Sequence, residues 1–162
     1  ISEKIKMSKS RIVQKGEIIQ KPGELGTKVY MVNSGLLRSY SMDENGREHI
    51  FMFAPEGWII ADSVPAHISS ELYIDALEES SILVREKDIE KEKDFSKFAR
   101  RLLVLQKRVI LLMSATAMER YEHFLSTYPE IVQRVPQKMI ASYLGITPEA
   151  LSTVKRAYLQ KK

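Results

Sequence analysis

The side chains best suited to chemistry lie near the C-terminal end of the sequence, and they suit recognition of a polyanion. From Arg134 to Lys162 there are six basic residues and one acid, Glu149, so this stretch carries a net charge of +5, while the whole chain carries +4. Positive charge gathered in one short region is typical of nucleic-acid binding. A solvated basic tail would have the same charge, so the spacing of the other residues must decide between the two.

That spacing predicts a helix-turn-helix at residues 137–156, in which two short helices cross at a steep angle. Counting Gln137 as position one, Ala stands at five, Gly at nine, and apolar residues at ten, fifteen and eighteen. Gly145 can take the left-handed conformation that ends a helix, and Thr147 followed by Pro148 is typical of a helix start. An ordinary helical hairpin could carry the same small residues, but it would not predict the basic charge.

The predicted second helix leaves a polar face that would enter the major groove of duplex DNA. Glu149 could accept a hydrogen bond from cytosine or only favour the helix N-terminus, and Arg156 or Lys155 could reach guanine or phosphate. Ser152 and Thr153 could read bases or serve solubility alone. Phosphate contacts are expected from Gln137, Lys138 and Thr147. The predicted DNA-binding set is Gln137, Lys138, Thr147, Pro148, Glu149, Ser152, Thr153, Lys155 and Arg156.

One long helix is predicted to position this unit. Residues 94–125 contain no Gly or Pro, and apolar residues recur there at alternating spacings of three and four, the pattern of a coiled-coil seam. A second apolar row lies one step round the helix, so a single partner would not cover the surface. We predict a homodimer that pairs as far as Met113, with a core helix of a monomer as the alternative. The predicted interface residues are Phe95, Phe98, Leu102, Leu105, Val109 and Leu112.

The first part of the chain predicts short antiparallel strands. Six of the seven glycines precede residue 58, with β-type runs between them and a hairpin turn at residues 43–46. The predicted strands are residues 18–20, 29–32, 36–42, 49–53, 72–77 and 82–85. Many short strands with glycine-bearing turns indicate a sandwich or jelly roll. The single tryptophan, Trp58, is expected to pack in the core, with ligand stacking as the alternative.

Composition argues against several other classes of protein. The absence of cysteine excludes disulfides, thiol catalysis, iron–sulfur clusters and cysteine-ligated zinc. No apolar run reaches the ~20 residues of a membrane span and no signal peptide is visible, so we expect a cytoplasmic protein without membrane contact. The chain opens on Ile1 rather than Met, and we expect further residues before it.

A jelly-roll metalloenzyme of the cupin type is the rival from another class. It would need His and carboxylate ligands on facing strands, whereas the three histidines, His49, His67 and His123, fall in different segments. No Ser-His-Asp grouping, phosphate-binding loop or dinucleotide fingerprint is present either. We predict no catalytic residues, no metal and no enzyme activity.

The order of the parts resembles the cyclic-AMP receptor/FNR family of bacterial transcription regulators. The resemblance rests on residues 15–18, 22–24, 29–35, 45–46 and 76–78. It implies an α+β chain with an N-terminal antiparallel β-roll sensor domain at 1–93, a dimerisation helix and linker at 94–128, and a helix-turn-helix domain at 129–162. It also implies a homodimer that reads a two-fold DNA operator, contacts RNA polymerase and responds to a small-molecule effector. Because the sequence stops soon after the second helix, we expect no full wing.

Three departures from the family pattern limit what carries over. Its cyclic-nucleotide binders hold the ribose and cyclic phosphate with a Gly-Glu-Leu run and an Arg-Ser pair, where this chain has residues 61–63 and 70–71. Without the Arg a bidentate phosphate partner is lost, and Glu71 adds repulsion. The lack of cysteine excludes an iron–sulfur cluster, and Pro148 and Thr153 stand where better-known members carry Arg, so their operator does not carry over. The candidate effector-pocket residues are Trp58, Ala61, Asp62, Ser63, Ser70, Glu71 and Tyr73.

We therefore predict no cofactor, no cyclic-AMP binding, and an effector that is unknown or absent. An alternative function keeps the fold but not the DNA. In it, the β-roll dimer is a sensor or scaffold whose C-terminal helices bind protein.

Overall fold

The computed structural model describes residues 9–87 and 95–161 of the chain. The chain divides into two compact units, with the boundary between residues 89 and 90. The first unit consists of strands and the second of helices.

The first unit is a sandwich of two antiparallel four-stranded sheets, which confirms the predicted β-roll. One sheet has the strand order β1-β8-β3-β6 and the other β2-β7-β4-β5. The strands are β1 Lys9–Val13, β2 Ile18–Gln20, β3 Lys28–Ser34, β4 Leu37–Met42, β5 Glu48–Ala54, β6 Ile59–Ile60, β7 Tyr73–Ala76 and β8 Ser80–Glu86.

Apolar side chains from both sheets fill the space between them. Val32, Leu37, Ile74 and Ile82 are fully buried in this cluster. Trp58 is half-buried and packs against the same cluster, in agreement with the core-packing prediction. Burying apolar surface in this way is the main stabilising contribution to the sandwich.

A buried ion cluster joins the strands of the second sheet. Arg38 of β4 lies opposite Asp75 of β7 and donates to both of its carboxylate oxygens, through Nε at 2.8 Å and Nη2 at 3.0 Å. Its Nη1 donates to Glu48 of β5 at 2.5 Å, and its guanidinium stacks 4.1 Å over the ring of Tyr40. Burial by itself would lower the pKa of Arg38, but hydrogen bonds to the two carboxylates raise that pKa above its ordinary value.

Two described strands were missing from the sequence prediction. Strand β1 has the sequence Lys-Ser-Arg-Ile-Val and is exposed at four of its five positions, because it lies at the edge of its sheet. Strand β6 has two residues, too few for any periodicity to be visible. The predicted hairpin turn is present, with Gly46 at φ +74° and the Asp43 carboxylate accepting from the backbone N–H of Asn45 and Arg47.

The second unit is helical. Its described helices are α1 Phe95–Ser114, α2 Ala117–Thr127, α3 Ile131–Arg134, α4 Gln137–Leu144 and α5 Pro148–Gln160. The prediction of one unbroken helix through residues 94–125 is wrong, because the chain leaves the helical conformation between α1 and α2.

A capping box explains this break. Thr116 is extended at φ −66° and ψ 162°, and its hydroxyl oxygen accepts from the backbone N–H of Glu119. The Glu119 carboxylate accepts in return from the backbone N–H of Thr116 at 2.7 Å. These reciprocal bonds satisfy two N–H groups that would otherwise lack partners at a helix start. Thr116 and Glu119 therefore begin a new helix and do not continue the seam.

Candidate nucleic-acid interface

A left-handed glycine shapes the turn between α4 and α5. Gly145 has φ +67° and ψ 35°, and its backbone N–H donates to the carbonyls of Ala141 and Ser142 at the end of α4. The N–H of Ile146 also donates to the Ala141 carbonyl, at 3.0 Å. This is the Schellman arrangement, which satisfies the last carbonyls of a helix and turns the chain sharply.

The second helix of the pair begins as the sequence predicts. Thr147 is extended, and its hydroxyl oxygen accepts from the backbone N–H of Ala150 at 3.2 Å. Pro148 occupies the first turn, where its missing N–H leaves no bond unmade. Leu151 is fully buried, as are Ile140 and Ala141 of α4, so the two helices pack on a shared core.

The outer face of α5 is polar and exposed. Glu149, Ser152, Thr153 and Arg156 are all exposed on it. The hydroxyls of Ser152 and Thr153 donate to the carbonyls of Pro148 and Glu149 within the helix, at 3.0 and 3.2 Å. The pKa of Glu149 is lowered by a hydrogen bond from its own backbone N–H and a second from the Thr147 hydroxyl. An ionised Glu149 suits the positive end of the helix dipole.

The remaining predicted contact residues lie in different places. Gln137 and Lys138 are exposed on the first turn of α4, and Thr147 and Pro148 are exposed at the start of α5. Lys155 is half-buried and lines a groove with Tyr121, Leu125, Pro129, Tyr158 and Leu159. The adjacent residues Lys155 and Arg156 therefore have different surroundings, and Arg156 is the one on the exposed polar face.

An arginine that no sequence pattern singles out links α1, α2 and α4. Arg120 donates to three backbone carbonyls: Leu112 through Nη2 at 2.7 Å, Ala115 through Nε at 3.1 Å, and Leu144 through Nη1 at 3.2 Å. A second link is made by Arg108 of α1, whose guanidinium lies 4.1 Å over the ring of Tyr143 in α4. No periodicity or motif marks an arginine that binds a carbonyl 24 residues away in sequence.

The apolar residues of α1 are exposed in the part of the chain that the structure describes. Leu102 is 55% exposed, Val109 53% and Met113 80%, and Leu105 and Leu112 are exposed as well. The neighbouring row, with Leu103 and Ile110, is also exposed. The side chains of Phe95 and Phe98, the other two predicted interface residues, lie outside the described set. An apolar surface of this extent is typical of a region that is covered by a partner.

The predicted effector residues are only partly brought together. The Asp62 side chain is buried and contacts Ser70, Glu71 and Leu72 across a loop. Ala61 is half-buried, whereas Ser63 and Glu71 are exposed. Tyr73 stacks on Tyr40 with ring centroids 5.1 Å apart, and Trp58 packs against the core.

The histidines and acids of the described residues do not gather into a metal site. Within 9–87 and 95–161, no group of three His, Asp or Glu side chains is arranged to hold a metal ion. His49 pairs instead with Asp43 at 3.0 Å in the β4–β5 hairpin. In the same part of the chain, no helix has the length and apolar character needed to cross a bilayer.

Comparison with known proteins places this architecture. Residues 10–89 match the family profile of the cyclic nucleotide-binding domain. FixK2 from Bradyrhizobium japonicum superposes with a TM-score of 0.80 at 24% identity, over 96% of this chain and 86% of FixK2. The chain thus has the fold of the Crp/Fnr regulators. The resemblance inferred from sequence is thereby confirmed, in the domain at residues 10–89 and in the fold of the whole.

Two further proteins are similar to this chain. A transcriptional regulator of the CRP/FNR family from Thermus thermophilus superposes with a TM-score of 0.73 at 17% identity, over 94% of this chain and 87% of its own. The Anaerobic regulatory protein of Haemophilus influenzae is 23% identical over 90% of this chain, which spans 65% of that relative's length. These two relatives are named as regulators, in agreement with the prediction that this chain is not an enzyme.

The loop that the family resemblance matches to a cyclic-nucleotide site is occupied by its own hydrogen bonds. Ser70, which the resemblance places at the phosphate-binding Arg, has its hydroxyl engaged with Asp62 at 3.0 Å. The backbone N–H groups of Glu71 and Leu72 donate to the same Asp62 oxygen, at 3.2 and 3.3 Å. These donors are therefore occupied by a carboxylate of the chain itself.

Proposed function

We propose that this protein is a dimeric, sequence-specific DNA-binding transcription regulator of the Crp/Fnr type. The observation that carries the proposal is the exposed polar face of α5, set by the left-handed Gly145 and the Thr147 cap, within a stretch of net charge +5. A polar helix face on a basic unit is what major-groove recognition requires.

DNA recognition would divide between the two helices. Arg156 projects from α5 and can make a bidentate contact to guanine, while Glu149 can accept from the amino group of cytosine. Gln137 and Lys138, exposed on the first turn of α4, would contact the phosphate backbone, with the N-terminal N–H groups of the helices assisting. Phosphate contacts would set the orientation on the duplex, and the α5 contacts would set the sequence preference.

Dimerisation would supply the two-fold symmetry of the operator. The exposed apolar residues of α1 can each contribute about 1.5 kcal/mol when covered, and several on each of two chains would offset an association cost of about 4–15 kcal/mol. Two α5 helices would then have to lie about 34 Å apart to enter successive major grooves on one side of the duplex.

We infer that the β-roll does not respond to cyclic AMP or cyclic GMP. An effector of another chemistry, or none, would act by shifting the population between arrangements of the two reading helices. A ligand can do this only through different affinities for those arrangements. Contacts to RNA polymerase are expected from the family resemblance alone.

Selection of bound fragments from random duplex DNA, followed by a salt titration of the selected site, tests the function. We expect a two-fold consensus and an affinity that falls as salt rises, with a slope near −0.9 per phosphate contacted, in logarithmic units. A chain that selects no sequence, and binds no duplex even at low salt, would instead be a scaffold whose helices bind protein.

Calorimetry with cyclic AMP and cyclic GMP tests the ligand part separately. We expect no saturable heat at micromolar nucleotide. Saturable binding of either nucleotide would contradict this part of the proposal and leave the DNA-binding part intact.

A further inference from the structure

The Asp62 carboxylate is the centre of a hydrogen-bond cluster in the loop between β6 and β7. Its Oδ2 accepts from the Ser70 hydroxyl at 3.0 Å and from the backbone N–H groups of Glu71 and Leu72 at 3.2 and 3.3 Å. Its Oδ1 accepts from the backbone N–H of Val64 at 3.2 Å. All four of these donors are uncharged, and Asp62 is 5% exposed.

Three backbone N–H groups and a hydroxyl converging on one carboxylate form an anion-binding nest. Such a concavity binds an anion through peptide dipoles and needs no cationic side chain. Here the anion is a side chain of the same loop, eight to ten residues earlier in sequence than three of its donors. The nest is therefore already filled in the folded chain.

A buried glutamine holds two residues of the nest in place. Gln20 of β2 is 1% exposed, and its Nε2 donates to the Ser70 hydroxyl oxygen at 2.9 Å and to the Leu72 carbonyl at 3.0 Å. These bonds hold Ser70 and Leu72 where they can donate to Asp62. The loop is fixed further by the backbone bonds between Ser70 and the turn at residues 23–24.

We propose that residues 61–72 form an anion-binding nest in which the chain's own Asp62 takes the place of a ligand anion. The donors that could bind an external phosphate are satisfied by this carboxylate, which also repels a second anion. The loop is thus held in one conformation without an effector. This inference is independent of DNA binding, because it concerns the first unit alone.

Chemical rescue of a carboxylate deletion tests the proposal. Asp62→Gly leaves the nest empty, and we expect its Tm to fall by about 5–10 °C, because buried N–H groups lose their acceptor. Formate is a free carboxylate small enough to enter the gap. Formate is titrated, with chloride at the same ionic strength as the comparison. Formate should restore about half or more of the lost Tm, and the effect should saturate, because a ligand that binds only the folded state stabilises it in this way.

Two variants serve as controls. Asp62→Asn keeps the nest sterically filled, so formate should have no effect beyond that of chloride. Ser70→Ala combined with Asp62→Gly removes one donor and should raise the formate concentration needed for half-rescue by about tenfold, as loss of one charge-assisted hydrogen bond implies. The amide NMR signals of Glu71 and Leu72 in Asp62→Gly should shift with formate along the same saturation curve.

The outcomes separate clearly. Rescue of Asp62→Gly by formate but not chloride, with Asp62→Asn unresponsive, supports a nest. Equal effects of formate and chloride, or an equal response from Asp62→Asn, would overturn it. If Asp62→Gly is unfolded in chloride, refolding by formate has the same meaning as a Tm rescue, and failure to refold counts against the proposal.

Discussion

The guanidinium of Arg120 donates through Nη1 to the backbone carbonyl of Leu144, 3.2 Å away. Leu144 ends α4, directly before the glycine that turns the chain into α5. Arg120 also binds the Leu112 and Ala115 carbonyls at the end of α1. One side chain therefore connects the predicted dimer helix to the predicted helix-turn-helix. Its positive charge lies at the C-terminal ends of two helices, where the dipoles favour a cation.

The substitution Arg120→Met should therefore weaken the attachment of α4 and α5 to α1. We expect the free energy of unfolding to fall by about 1–3 kcal/mol, since three backbone carbonyls lose a charged donor and two of these bonds are part-buried. At a temperature well below Tm, operator affinity should still be lower than in the wild type, because α5 is no longer held relative to α1. Arg101→Met, an exposed position on α1, should change stability by less than about 0.5 kcal/mol. Equal behaviour of the two variants in denaturant titration and DNA binding would refute the role of Arg120.

Arg156 and Lys138 should affect DNA binding in different ways. Arg156→Ala should weaken binding to the selected site by about 1–3 kcal/mol and relax the preference at one base pair, if Arg156 reads guanine. Lys138→Ala should weaken all sequences alike and reduce the salt slope by about 0.9. Fluorescence anisotropy on the selected site and on single-base variants at several salt concentrations measures both effects. The same loss on every sequence in Arg156→Ala would assign this residue to phosphate instead.

A charge in the apolar seam should separate the protomers. Leu105 is 39% exposed, and we expect Leu105→Asp to abolish the dimer and operator binding together, since a carboxylate would be buried in the interface. Lys107→Asp, on the opposite side of α1, is the matched control and should remain dimeric. Sedimentation velocity reports the assembly state. If Leu105→Asp sediments like the wild type, the seam lies on another face of the helix.

The capping box between α1 and α2 predicts a pH dependence. The pKa of Glu119 is lowered from 4.5, chiefly by the backbone N–H of Thr116 and then by the Thr116 hydroxyl. A carboxyl whose pKa is lower in the folded state stabilises it above the unfolded pKa, and this contribution is lost as pH falls through the folded value. Thermal unfolding of wild type and Glu119→Gln should therefore converge as pH falls from about 5 to below 4. Glu44→Gln, in the exposed β4–β5 turn, is the control for the loss of one acidic residue. A difference in Tm between wild type and Glu119→Gln that does not change with pH would contradict the role of the capping box.

Gly35 should tolerate no side chain. It has φ +91°, and a Cβ there would lie 2.6 Å from the Glu79 carbonyl and closer still to the Ser80 hydroxyl. We expect Gly35→Ala to destabilise the β-roll by at least about 2 kcal/mol, combining backbone strain with a clash against backbone atoms. Gly57→Ala is the matched control, because its φ is +81° but nothing lies within 4 Å of the added Cβ. In denaturant titration, the free energy of unfolding of Gly57→Ala should fall by only about 1 kcal/mol, from backbone strain alone.

Much of the fold was predictable from local pattern. Strand β2 was predicted with its observed bounds, because glycines and polar turns border it, and the turn at Gly145 follows from residue type and offset. The break at Thr116 was also visible in principle, since Thr-x-x-Glu is the signature of a capping box. The apolar heptads running through that region concealed it.

The long-range polar contacts were not predictable in the same way. Arg120 binds a carbonyl 24 residues away, and Gln20 supports a loop 50 residues away, so neither leaves a trace in periodicity or composition. Asp62 was singled out by the family resemblance, as a candidate for holding a ligand. Only the folded structure shows that its carboxylate is bound by its own loop.

The ion cluster of Arg38 also acts as a check on strand pairing. In the observed register Arg38 faces Asp75, whereas the next residue, Ser39, faces Ile74 in the core. A slip of one residue would turn every side chain of β4 to the other side of the sheet and leave a guanidinium among Ile74, Ala76 and their neighbours. An unpaired buried charge is far more costly than a misplaced methyl group. A sheet with β4 out of register would thus be much less stable than the observed one, and the chain would not fold to it.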